Sequence, residues 1–443
     1  MNDAPWPSPA RAWWGVAVLT FAYVISFVDR TILSLLIEPI KADLALSDTQ
    51  IALVQGIAFG LFYAAMGLPL GWLADRMSRR LLIGLGAGFW CIATAACGLA
   101  ASFPQLFLAR IGVGMGEAAL SPAAMSMISD SFPKERRALP IGIYAGAAAL
   151  GAGLALILGG SVIRLVSGAS HVALPLVGDV AAWQAAFIIV GVCGLVLLPL
   201  MATVTEPVRR NDIATQGPVQ RIDRFIRRHA SFMVRHYLAV STYSILIYAV
   251  LSWVPAHLIR VFGWTPAEVG LRYGLVLLVF GGAGTVVGAW FAVWLGRRGV
   301  RHPAIVVTAG GMAASGLLLS QAGWADNPWT ALAWYAPGLL CLTLPGGTAI
   351  QVIQEAVPNQ LRGQASAIYY LSISVIGLSF GPLSVALLTD YVFGDPLKIG
   401  SAISIVSLVI APATALLSIS TRAPFGRMIE AVALTTPAPT RVR

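Results

Sequence analysis

Gly71-Trp72-Leu73-Ala74-Asp75-Arg76-Met77-Ser78-Arg79-Arg80 packs one acid and three arginines into ten residues. It stands between two apolar runs, 51–70 and 81–101. At about 1.5 Å of rise per residue, ~20 helical residues cross the ~30 Å hydrocarbon core of a bilayer, so each run has spanning length. A polar decapeptide joining two such runs reads as a tight turn at a membrane surface. Gly71 permits close helix contact there, and a carboxylate with guanidinium partners can tie the membrane edge together. Working outward, further apolar runs of spanning length lie at 13–37, 104–129, 138–166, 182–204, 237–259, 270–296, 303–322, 329–354, 364–390 and 398–420. The composition agrees, with 58% hydrophobic and 11% charged residues and a mean hydropathy of +0.80. Soluble domains carry about 25% charged residues, so lipid is the main solvent for this chain.

Basic residues set the orientation. With the N-terminus placed in the cytoplasm, 22 of the 29 Lys and Arg fall in cytoplasmic segments and five on the opposite side (Lys41, Arg164, Arg260, Arg272, Lys398). That bias predicts both termini inside, as in a bacterial-type inner membrane, and explains the net charge of +10 without nucleic acid as a partner. The first apolar run is too long for a signal peptide, lacks a following cleavage pattern and is retained as the first span. Cys91, Cys97, Cys193 and Cys341 all lie in apolar runs without metal-ligand spacing and are expected to pack. No metal or cofactor is expected.

The one long polar stretch, Thr205–Arg235, holds seven arginines and divides the spans six and six. It reads as a cytoplasmic linker lying on anionic headgroups, between an N-terminal half (1–204) and a C-terminal half (236–443). A shift of 225 residues superposes the two halves around their fourth spans: Asp130 on Glu355, Pro133 on Pro358, Arg137 on Arg362, Ile143 on Ile368 and Tyr144 on Tyr369. The expected fold is therefore an all-α membrane protein with twelve transmembrane helices in two pseudo-symmetric halves. Such duplication is what alternating access about a central site requires.

Charges inside the membrane are costly and by default functional. Two acids lie deep in spans, Asp29 in the first and Glu117 in the fourth, with Arg30 beside the former and Arg110 seven residues before the latter. Asp29 lies ~25 Å along its helix from Trp13, and Glu117 ~20 Å along its own from Asp130, on antiparallel helices at similar depth. Arg110 and Glu117, two turns apart, share one face. Desolvation and a neighbouring guanidinium act on such a carboxyl in opposition, so small rearrangements can load or release a proton. Binding of a substrate headgroup and a static ion-pair clamp are the other readings. The second half contains no deep charge. Its polar inventory is neutral and includes Ser241, Tyr248, Thr348, Gln351, Tyr369 and Tyr370, mostly suited to helix–helix hydrogen bonds. Tyr248, Trp253 and His257 are candidates for an outer mouth, or for interfacial anchoring. One charged and one neutral wall suit an amphiphile with a polar head and an apolar tail.

The Gly71–Arg80 stretch resembles the signature of the major facilitator superfamily, G-x-L-x-D-R-x-x-R-R/K, at every defined position. With Asp29-Arg30 and Arg110-x-x-x-Gly114-x-Gly116-Glu117-Ala118, the chain looks like a spinster-type member of that superfamily. The resemblance implies proton-linked export of lysolipids or sphingoid lipids. Asp29, Glu117 and Arg110, with Arg30, would form the coupling cluster, and Arg110, Glu117, Tyr248, Trp253, Tyr369 and Tyr370 would meet substrate. It also implies a gating clasp of Gly71, Asp75, Arg76, Arg79, Arg80, Asp130, Arg137, Glu355 and Arg362. In that clasp Asp75 faces the positive N-terminal end of the eleventh helix and the arginines pair with acids such as Asp130. The second-half counterpart, Trp294-Leu295-Gly296-Arg297-Arg298, lacks the Asp. Organic anion symporters of the superfamily share a first-span Asp-Arg and a fourth-span Arg…Glu-Ala, so a proton-coupled symporter of a small organic anion is the alternative. A drug-efflux antiporter would carry a Pro within its fifth-span glycines, and Gly146–Gly160 has none. A membrane-embedded enzyme is disfavoured, since the five histidines have no deep Cys or carboxylate partner and no HExxH, GxSxG or phosphate loop occurs. A receptor would not need duplicated halves, and a monomer is expected.

Topology is directly testable. Cysteines introduced at Gln216 and Thr436 should be protected from an impermeant thiol reagent in intact cells, and labelling of either from outside would overturn the orientation.

Overall fold

The computed structural model describes residues 6–166, 171–175, 177–209 and 222–435. Among the described residues, eleven helical stretches and one bent pair have the length and apolarity to cross a membrane. The first half comprises α1 (Pro9–Leu35), α2 (Asp48–Ala74), α3 (Arg79–Cys97), α4 (Phe103–Ser131), α5 (Ala138–Val166) and α6 (Ala182–Thr203). The second comprises α7 (Ala230–Arg260), α8 (Pro266–Arg297), α9 (Pro303–Gly323), α10 (Pro328–Ala356), α11 (Arg362–Phe393) and α12 (Ile399–Ser420), followed by α13 (Arg422–Thr435). Large apolar side chains face outward, with Leu165 81%, Leu416 72% and Val286 70% exposed, as lipid allows and water would not. The chain is an integral membrane protein.

Local chemistry starts the helices. Ser47 with Gln50, and Thr265 with Glu268, close reciprocal capping boxes at α2 and α8. Asn327 caps α10 just before Pro328, a residue suited to a first helical position. Three features depart from the apolar pattern. α5 bends by 44° between Leu139–Ala147 and Leu150–Val166. An antiparallel hairpin, β1 (His171–Leu174) with β2 (Gly178–Ala181), occupies the α5–α6 connection, where four-residue strands are too short to show an alternation. The linker also shortens, because a helix covers Ile222–Arg228 and α7 begins at Ala230, which puts Arg235 inside α7. Residues 210–221 of the linker lie outside the described residues. Of the cysteines expected to pack, Cys91 and Cys97 are buried whereas Cys193 is exposed on the outer surface.

The 225-residue repeat is built into the backbone. Short 3-10 turns at Lys134–Arg136 and Asn359–Leu361 follow α4 and α10. Arg137 Nε donates to the Phe132 carbonyl (2.8 Å), and Arg362 Nε to the Val357 carbonyl (3.1 Å), so each arginine closes the end of the helix before it. Both parent helices are interrupted at matching points, with regular structure resuming at Leu120 in α4 and at Pro345 in α10.

Twelve crossings put both described ends of the chain on one side, here the terminal face; the opposite side is the far face. The halves touch along α2–α11, α5–α8 and α1–α7. Toward the far face these contacts are backbone to backbone. A Cβ on Gly56 would stand 2.5 Å from the Leu378 carbonyl oxygen, and one on Gly153 would stand 2.6 Å from the Leu278 nitrogen. Toward the terminal face, Gly67, Gly71, Gly142 and Gly146 have nothing within 4 Å of that position. The crossing points coincide with π-turns at Leu53–Ile57, Leu277–Gly281 and Ile373–Gly377. Such turns often accompany functional sites. The result is a bundle shut at the far face and parted at the terminal face.

Candidate functional site

Gly114 and Gly116 create the site. A Cβ on Gly114 would lie 2.5 Å from the Phe59 carbonyl oxygen of α2, and one on Gly116 would lie 2.8 Å from the Trp90 nitrogen of α3. Only glycine lets α4 settle against both backbones and carry Glu117 up to α1. There Arg30 donates from Nε and Nη2 to Glu117 Oε2, both at 2.6 Å. The same guanidinium lies 4.8 Å from the Phe59 ring, 5.0 Å from Tyr63 and 5.4 Å from Phe27, an aromatic box that favours a cation.

Asp29 and Arg30, about 100° apart on one helix, point into different surroundings. The Asp29 side chain turns into the bundle and is 1% exposed, whereas the Arg30 side chain keeps 16%. Neither carboxyl oxygen of Asp29 has a hydrogen-bond partner, although Trp90 Nε1 and Thr94 Oγ1, likewise unpartnered, lie beside it. Glu117 Oε1 and Arg110 Nε are also buried without a partner. An orphaned buried polar atom costs about 1–3 kcal/mol, and a cluster of them marks something other than stability as the reason for its presence.

The pairing differs from the sequence pattern. Spacing along α4 places Arg110 beside Glu117, but Arg110 is 1% exposed and its Nη1 donates to the Asp29 backbone carbonyl (3.0 Å), while Arg30 takes Glu117. A shared face on one helix fixes neighbours within that helix; the facing helix supplies the partner. Arg30 is thus the cation with access to the space between the halves. Tyr23, Tyr63 and Tyr248 stand close enough to feel its charge, and Tyr23 stacks on Tyr144 at 4.9 Å. Tyr23, Phe27, Phe59, Tyr63, Trp90 and Thr94 carried no signal, since aromatic and hydroxyl residues in a spanning run look like ordinary packing, and Tyr144 stood out only as the repeat partner of Tyr369.

In the second half, Tyr248 is half-buried and Tyr370 is 58% exposed, both consistent with lining a cavity. Trp253 and Tyr369 are not so placed. Trp253 is fully buried with Nε1 donating to the Pro382 carbonyl (2.8 Å), and Tyr369 is 3% exposed. His257 is likewise buried, its Nδ1 2.9 Å from the Tyr335 hydroxyl.

The decapeptide turn forms a second centre. Arg79, 1% exposed, binds the Asp130 carboxylate, Glu206 Oε1 (3.0 Å), Ser126 Oγ (2.8 Å) and the Pro207 carbonyl (2.7 Å). Glu206 also accepts from Ser78 Oγ (2.9 Å) and from the backbone N–H of Arg79 and Arg80, at the positive N-terminal end of α3. Partial burial pushes the Glu206 carboxyl up, but these hydrogen bonds outweigh it and hold the group below its ordinary range. Arg80 reaches the Ala202 and Val204 carbonyls, Arg76 stacks on Trp72 at 3.7 Å, and Glu355 accepts from Gln351 (2.6 Å). Asp75 is exposed and has no ion pair among the described residues. The cross-half clasp expected of Asp75 and Gly71 is therefore not made in this conformation, because α2 and α11 have parted at this end. The turn instead ties α2 and α3 to α4 and α6 within one half.

Removing the buried guanidinium takes from Asp130 and Glu206 the cation that joins them. Arg79→Ala should lower stability by about 3 kcal/mol, seen as a drop in the thermal unfolding midpoint in detergent, whereas Arg80→Ala should change it far less. Equal effects would show that burial at Arg79 is not what matters. Because Glu206 binds its proton less readily folded than unfolded, its share of stability is present above the ordinary carboxylate range and lost as pH falls through its depressed value.

The family model described as Major Facilitator Superfamily matches residues 19–382. A protein described as an MFS-type efflux pump of Mycolicibacterium smegmatis is 30% identical over 395 residues, 87% of this chain and 86% of that one. A probable L-galactonate transporter of Escherichia coli is 28% identical, with 84% of this chain and 82% of that one covered. Among solved structures, a bacterial homologue of the human lysosomal transporter spinster, in an inward-facing and unoccupied conformation, superposes with a TM-score of 0.80. It is 25% identical and is matched over 98% of this chain and 100% of that one. With its twelve helices in two related halves and its signature turn, the chain belongs to the major facilitator superfamily of membrane transporters, and its structural neighbours include spinster homologues.

Proposed function

We propose that this protein is a proton-coupled secondary transporter that works by alternating access and moves an amphiphilic lipid of the lysolipid or sphingoid type. It would sit in a bacterial-type inner membrane with both termini cytoplasmic, its halves 1–204 and 236–443 rocking about the central site. The terminal face is then the cytoplasmic one and the conformation is inward-open, like that of the spinster homologue. The observation that carries the reading is the Arg30–Glu117 pair with unpartnered Asp29 beside it. A buried carboxylate without a partner is costly, and binding a proton is how a carboxyl escapes that cost. An anionic headgroup entering between the halves meets Arg30, competes with Glu117 for it, and so links substrate binding to the protonation of the freed acid. Tyr248 and Tyr370 offer a neutral wall for the rest of the molecule. The clasp of Asp75 with the α11 terminus belongs to the opposite, inward-closed state.

One observation favours a second reading, symport of a small organic anion: the likeness to a probable L-galactonate transporter. Such a substrate would use the same guanidinium and leave the apolar wall idle.

Reconstituted protein should move lysolipid or sphingoid lipid in response to an imposed pH gradient. Asp29→Asn and Glu117→Gln should each abolish gradient-driven accumulation while sparing downhill exchange, since each amide mimics the protonated acid. Arg30→Ala should weaken binding of anionic substrates more than of neutral ones. Wild-type flux indifferent to the gradient, or full accumulation by both acid variants, would leave the cluster as a static clamp. Gradient-driven flux of a sugar acid but not of lipid would decide for the second reading.

A further inference from the structure

The far face carries charged groups that neither the central site nor the decapeptide turn uses. Asp48, at the start of α2, is a fully buried carboxylate. It receives Arg260 of α7 in a two-pronged contact, Nη1 to Oδ2 and Nη2 to Oδ1, both at 2.8 Å. Lys41 binds Oδ1, and Thr389 Oγ1 of α11 donates to Oδ2 (3.0 Å). Arg260 has further partners in Glu38 Oε1, 2.8 Å from Nε, and the Pro396 carbonyl, 3.0 Å from Nη1. A second bridge runs the other way, from the Thr49 backbone N–H to Asp390 Oδ2 (2.6 Å). Asp48, Glu38, Lys41 and Thr49 belong to the first half; Arg260, Thr389, Asp390 and Pro396 belong to the second.

We infer that Asp48 is the hub of a latch that holds the far face shut, and that its capture of Arg260 must break whenever that face opens. The position argues for this role. The hub lies on the stretch of α2 just ahead of Gly56, where the two halves meet backbone to backbone. A two-pronged guanidinium–carboxylate contact is among the strongest and most direction-dependent polar contacts, and it tolerates little relative movement of its partners. Loss of Arg260 leaves buried Asp48 with Lys41 as its one cation, and loss of Asp48 leaves Arg260 with Glu38 as its one carboxylate, an under-compensated charge in either case that opening to water relieves. At the terminal face, Asp75 and Arg362 have no ion pair among the described residues, and Arg362 is spent on a carbonyl of its own half. That difference goes with halves packed backbone to backbone at the far face and parted at the terminal face. It depends on neither the substrate nor the proton.

The test reads conformation rather than transport. In full-length protein lacking the four native cysteines, spin labels at Ala42 and Lys398 report the far face, and labels at Arg136 and Gln360 report the terminal face. Asp48→Asn and Arg260→Gln should each raise the long-distance population at the far face several-fold and shorten the terminal-face distances. The double variant should do no more than Arg260→Gln alone, because that substitution already removes the Asp48 contact along with the one to Glu38. Thr389→Val, which deletes one donor at constant shape, should shift the same populations less, and it decides the matter if the charge variants do not fold. Unchanged far-face distances in folded variants, or additive effects in the double variant, would overturn the latch.

Discussion

Glu117 reaches Arg30 only because Gly114 and Gly116, in the turn just before it, leave no side chain between α4 and the backbones of α2 and α3. That close approach is the constraint on which the centre of the molecule depends. It fixes the depth at which the acid meets the base, and it lets Phe59 stand within 5.4 Å of both Arg30 and Arg110. Any side chain at position 114 would push α4 outward and separate the pair. An ion pair at this depth survives because its partners leave water together and because aromatic faces take the place of lost solvent around the guanidinium.

Charge is distributed unequally over a symmetric scaffold. The end-capping arginines, the 3-10 turns and the helix interruptions recur at a spacing of 225 residues, so the framework is common to both halves. The chemistry is not. Where the first half has Asp29 and Arg110, the second has Val254 and Tyr335, and Tyr335 is engaged with His257. At the centre, one half thus carries the titratable groups and the other a neutral surface. Small substrates held by charge alone would need less of that second wall than an amphiphile does.

How much was legible follows from the range of each force. In lipid every backbone polar group must be satisfied within its own helix, so spanning length, helix number and the two halves are local properties written into apolar runs and their basic flanks. The same holds for the signature turn as a motif, whose Ser78 caps α3 within a few residues, although its arginines find their partners in α4 and beyond. Deep acids are equally visible, because an ionisable residue in an apolar run stands out wherever it ends up. What the chain alone determined, then, was the architecture and the identity of the costly residues.

Partnership was decided only by packing between helices. Whether Glu117 takes Arg30 or Arg110, whether Trp253 lines a mouth or fills a core, and whether Asp75 meets α11 or water depend on how distant segments are rotated and how far apart they stand. None of that is encoded in spacing along one helix. Asp48 and Arg260 make the point most clearly, separated by 212 residues, with Asp48 carrying no sequence signal and Arg260 counted only among the five basic residues opposite the cytoplasm. Their contact exists because two halves close on one another, and no spacing along either half encodes that closure.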